Sequence, residues 1–96
     1  MKHPLIRWKN CIEYLEEYSY TSDDELELLN DISVRNTIAE IQSSFTEKQY
    51  SELRELDTRF SIILTAALMK AKLLNLYRRQ AKNYPVEYWW WHVEER

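Results

Sequence analysis

Ninety-six residues, 45% hydrophobic and 30% charged with a formal net charge of −3, are enough for one compact domain and too few for two. The chain has no Gly, two Pro and a single Cys, which argues against tight hairpins, glycine-built phosphate loops, intramolecular disulfides and cysteine-clustered metal sites. Four Trp and seven Tyr are more ring surface than a disordered chain carries, and the longest apolar stretches, 62–64 and 66–69, fall far below the roughly 20 residues needed to cross a bilayer.

Helices are what this composition leaves. Pro4 suits the first position of a helix, where its missing N–H matters least. Leu5, Trp8, Cys11, Ile12, Leu15 and Tyr18 then recur at spacings of three and four, which predicts an amphipathic helix over 5–18. Residues 19–22 make a break, and Ser22 followed by Glu25 has the spacing of a capping box, so a second helix is expected over 23–43. Its apolar repeat is interrupted at Ser33 and Asn36, read as surface polar positions, with close packing or a local bend as the alternative.

Thr46 and Gln49 repeat the capping-box spacing, with Phe45 placed to pack on Tyr50. From there Leu53, Leu56, Phe60, Ile63 or Leu64, Ala67, Ala71 and Leu74 form a nearly continuous apolar face that runs to the Tyr84-Pro85 stop, predicting a long third helix over 47–83. A break near Thr65 would make four helices instead. Leu15, Leu29, Ile41, Leu53, Phe60, Leu64 and Ala67 are the expected core. Residues 1–96 thus read as a single all-α domain, a small bundle of three or four helices with an aromatic C-terminal cap at 85–96.

A helix of that length exposes more apolar surface than short neighbours cover, so self-association, most simply a homodimer, is expected to complete the bundle. The interface is assigned to Phe60, Leu64, Ala67, Ala71 and Leu74 with Tyr88, Trp89, Trp90 and Trp91, of which Trp90 is expected to face a partner or solvent. A heterologous protein partner is the broader form of the same expectation. Charge is divided along the chain in a way that suits antiparallel packing: residues 13–57 hold thirteen acids against three bases, and 58–86 hold six bases and no acid.

Arg78, Arg79 and Lys82 share one stretch of helix, with Tyr77 and Tyr84 beside them for stacking, and could contact phosphate. Against that, six bases spread over 58–86 are no dense arginine-rich motif, and the acids of 13–57 supply counterparts. Nucleic-acid binding is therefore the second reading. His3, His92 and Cys11 are scattered, and no acidic pair has a spacing that selects a reaction, so no catalytic residue, cofactor or metal ligand is assigned. The opening residues lack a secretory leader's long apolar core, and the lone thiol suits a reducing cytoplasm, so cytoplasmic residence is expected without a membrane anchor. The functional expectation is a noncatalytic protein-interaction or complex-assembly module.

Overall fold

A computed structural model describes residues 3–17 and 20–95, and these form an all-α fold of four helices. Helix α1 spans Pro4–Glu17, α2 Glu25–Ile41, α3 Glu47–Ala71 and α4 Leu74–Ala81, with 3-10 turns at Ser22–Asp24, Gln42–Ser44, Trp89–Trp91 and Val93–Glu95. Pro4 opens α1 as expected. The predicted helix position Tyr18 lies outside the described residues.

Capping decides where α2 and α3 begin. Before α2 the box sits one residue earlier than the spacing suggested: the Thr21 hydroxyl accepts from the Asp23 N–H, while the Asp24 carboxylate accepts from the Thr21 N–H at 2.8 Å. A side chain one methylene shorter than Glu closes this reciprocal pair around a 3-10 turn, and Glu25 becomes the first residue of α2. At α3 the Thr46/Gln49 box forms as expected, with both bonds present, and the Phe45 ring meets Tyr50 edge-on at 5.9 Å.

The long third helix does not run to 83, nor does it break at Thr65. It stops at Lys72, whose φ of 62° is the one left-handed non-glycine conformation among the described residues. The Lys72 N–H donates to the Met69 carbonyl at 3.2 Å and the Leu73 N–H to the Leu68 carbonyl at 2.9 Å, the two bonds of a Schellman closure. Leu68 and Leu73, the apolar pair that such a closure brings together, are both fully buried. With no Gly in the chain, packing of Leu73 forces a lysine into the conformation that Gly would adopt without strain. The chain turns there, and α4 folds back onto α3.

Helix α1 packs on both α2 and α3, and the terminal turns Trp89–Trp91 and Val93–Glu95 touch α2, α3 and α4. One continuous core results. It includes Trp8, Ile12, Leu15, Leu28, Ile32, Ile38, Leu53, Leu56, Phe60, Leu64, Leu68, Tyr77 and Trp91. Of the expected core, Leu15, Leu53, Phe60 and Leu64 are buried, while Leu29, Ile41 and Ala67 are only half-buried at its margin. No helix of the described residues is long and apolar enough to cross a membrane.

Replacing Lys72 with Gly relieves the left-handed strain and is expected to raise unfolding stability by about 0.5–1 kcal/mol, whereas Lys72→Val should lower it by about 1–2 kcal/mol. Urea denaturation of the three chains, compared by midpoint at constant slope, checks both signs.

Candidate functional site

The terminal aromatic segment is held by a buried polar cluster. Arg35 on α2 is 5% exposed and forms a two-pronged ion pair with Asp57 on α3, Nε to Oδ1 at 3.0 Å and Nη2 to Oδ2 at 3.1 Å. The Trp8 indole N–H of α1 donates to the same Asp57 Oδ1 at 3.1 Å. Burial pushes the Asp57 carboxyl up, while the hydrogen bonds from Arg35 and Trp8 pull against that shift. The outer side of the guanidinium lies over Trp90, 4.7 Å from the ring centre, with Trp89 at 5.8 Å.

Asn36, next along α2, accepts through one amide oxygen from both the Trp90 and the Trp91 indole N–H, at 2.6 and 3.0 Å. The reading of Asn36 as a surface polar position is therefore corrected: it is the acceptor for two terminal indoles. Ser33 bonds back to the Leu29 carbonyl at 2.8 Å. From α4, the Tyr77 hydroxyl donates to the Trp90 carbonyl at 2.7 Å and accepts from the Val93 N–H at 3.2 Å. Trp90 and Trp91 are buried, so Trp90 faces inward, contrary to expectation, and Trp89 and Tyr88 are the half-buried members of the run.

This arrangement determines what the nine assigned interface positions do. Phe60, Leu64, Ala71, Trp90 and Trp91 lie inside the chain, and Ala67, Leu74, Tyr88 and Trp89 are half-buried against the same core. The apolar face of α3 that called for a partner is thus covered by α1 and the terminal rings of its own chain.

Arg78 and Lys82 line a cleft of about 320 Å³ together with Tyr77, Tyr84, Trp91 and His92, and Arg79 is exposed on α4 outside it. Arg78 is already paired with Glu94 at 2.7 Å. Trp91 is stacked between Tyr77 and Tyr84, and Tyr84 between Trp91 and Tyr88, so the rings expected to receive bases are occupied on their faces by one another. His92 Nε2 lies 2.9 Å from the Tyr84 carbonyl. The charge division between 13–57 and 58–86 is bridged within the chain by Arg59, which chelates Glu16 on α1 and holds that carboxyl below the usual range.

Cys11, Tyr20 and Asp31 form a separate cluster. The Tyr20 hydroxyl donates to Asp31, and burial pushes the Cys11 thiol, the Tyr20 phenol and the Asp31 carboxyl all upward. A thiol kept protonated in this way is a poor nucleophile. No group of His, Cys, Asp and Glu among the described residues is arranged to hold a metal ion.

Ile6, Leu26 and Val86 are exposed singly on other parts of the chain, whereas the outer side of α3 carries exposed apolar residues in a row. Ile62 is 74% and Met69 63% exposed, with Ala66 exposed between them, at spacings of four and three. Two grooves flank the Ile62 end of this ridge: one of about 700 Å³ toward Arg54, Trp89 and Val93, the other of about 420 Å³ toward Leu15, Glu16 and Glu17 of α1, with Lys70 at its edge. Sequence reasoning followed the inward repeat through Phe60 and Leu64 and passed over this one, although the runs 62–64 and 66–69 place apolar residues on both sides of one helix. Comparison with protein-family models, curated proteins and solved structures finds no match to this chain.

Two results follow from the polar clusters. Asp57→Ala leaves the Arg35 charge buried and unpaired, and should lower stability by about 3–5 kcal/mol in urea denaturation. Asp31 has its carboxyl raised above the ordinary 3.8, so the folded state holds a proton that the unfolded state releases, and this group withdraws stability as pH climbs through that window. Asp31→Asn removes the effect. Stability measured from pH 4 to pH 7 should therefore move in favour of Asp31→Asn, relative to the unsubstituted chain, as pH rises.

Proposed function

We propose that the protein is a noncatalytic interaction or assembly module that works through the outer face of α3. The observation that carries this reading is the Ile62–Ala66–Met69 ridge: large apolar side chains aligned in water on a helix whose other side already packs the core. Isolated exposed apolar residues are ordinary, but a row at helical spacing between two grooves is the shape that another helix packs against. The buried cluster around Arg35 supports the reading, because it ties α2, α3 and the terminal segment into a rigid platform for the ridge. A preorganised surface loses less freedom on association than a mobile one.

Ile62→Glu places a charge at the most exposed large apolar side chain of the ridge, which is 74% open to water. It should leave helicity and the unfolding midpoint nearly unchanged, within about 0.5 kcal/mol, while weakening association by at least about tenfold. Full-length protein recovered under native conditions, with its mass and stoichiometric companions compared between the two chains, tests this. Identical mass and companions for both would remove α3 as the working face.

A further inference from the structure

The α3 ridge carries a charge pattern that selects its occupant. Glu52 and Lys70 stand eighteen residues apart, five whole turns of an α-helix, and so lie on one meridian about 27 Å apart along the axis. Both are exposed, and among the described residues neither has an ion-pair partner within the chain, whereas Arg59, between them on the same side, is taken by Glu16. The level midway between them is that of Ser61, whose side chain is two and a half turns from each and so on the opposite flank, in the Trp89 groove; Ile62 is the exposed apolar residue nearest that level. With Ile62 near the centre, an acid at equal distance on one side and a base on the other make this face self-complementary in charge under a two-fold rotation.

We propose that the occupant of this face is a second copy of the chain, its α3 packed antiparallel across a two-fold axis next to Ile62, with Glu52 of each copy paired to Lys70 of the other. The inference rests on the outer face of α3 being the working surface. In that register Ile62 drops between Thr58 and Ile62 of the second copy, Ala66 between its Glu55 and Thr58, and Met69 between its Glu52 and Glu55. Each ridge side chain thus falls between two side chains of the facing helix. Ala66, with no side chain beyond Cβ, lets the two backbones approach. A parallel arrangement would instead set Glu52 against Glu52 and Lys70 against Lys70. Arg54 does not meet Lys70 in the antiparallel pair, because it projects toward the Trp89 groove on the opposite flank.

The exposed ion pairs orient the contact more than they strengthen it. Glu17 shares the α1-side groove with Lys70 without forming an ion pair to it, which leaves Lys70 open to the second copy's Glu52.

Sedimentation of the full chain over a concentration series at low salt should show a monomer–dimer equilibrium. Glu52→Lys and Lys70→Glu should each weaken it roughly tenfold, since each reversal places two like-charge contacts in the dimer. An equal mixture of the two variants should recover dimer as a heterodimer, because every contact is then again between opposite charges. Ile62→Cys, near the axis, should cross-link into a covalent dimer under mild oxidation while the enclosed Cys11 stays unreacted. Leu26→Cys, equally exposed but on α2, should not. A chain that remains monomeric throughout, or a dimer indifferent to both charge reversals, overturns the proposal. The outcomes also separate it from the reading beneath it: a monomer whose stoichiometric foreign companion is lost on Ile62→Glu refutes self-association and retains the α3 face, whereas indifference to Ile62→Glu in both assays removes both.

Discussion

The Asp57 carboxylate is where the fold is joined. It takes two hydrogen bonds from Arg35 of α2 and one from Trp8 of α1 while standing on α3, and the guanidinium that it fixes is the surface on which Trp90 rests. Four segments distant in sequence meet through one ion pair. Such a pair is a weak source of net stability, because desolvating both charges offsets most of their attraction. Its contribution is to geometry. The fork of the guanidinium and the two carboxylate oxygens admit few alternative docking angles between α2 and α3, and the indoles fill the space that this angle leaves.

That constraint explains why a chain of this size has so much of its core built from rings. Trp8 meets Phe60 at 4.8 Å, Phe60 meets Trp89 edge-on at 6.1 Å, and the contacts continue through Trp90, Tyr88, Tyr84 and Trp91 to Tyr77. Rings bury large areas at low side-chain entropy, which suits a small domain whose surface is large relative to its volume. Their polar edges are satisfied as well. The indole N–H groups of Trp8, Trp90 and Trp91 all donate to Asp57 or Asn36, and no buried side-chain nitrogen or oxygen among the described residues lacks a partner.

The helices were legible in the sequence because their signals are local: a proline at the start of α1, a threonine–glutamine box before α3, and apolar residues at spacings of three and four. The end of α3 was not, because its usual marker is a glycine and this chain has none; only the burial of Leu73 against Leu68 makes a lysine adopt that turn. Asn36 was misread for the same kind of reason. A polar residue interrupting an apolar repeat looks solvated until the two indoles that it receives, more than fifty positions away, are brought to it. The ridge on α3 lay in plain view as apolar residues out of phase with the core repeat, but periodicity alone cannot say which of two apolar faces its own chain will cover.

The clasp between Asn36 and the terminal indoles also bears on the order in which the structure assembles. The helices and their caps are closed by contacts a few positions apart, which form quickly. Joining Asn36 to Trp90 closes a loop of more than fifty residues, and entropy makes that closure unfavourable until α2 and α3 already stand at the right angle. The contacts that hold the aromatic segment are thus among the most costly in the fold to close, and that cost falls when the helices they join are already in place.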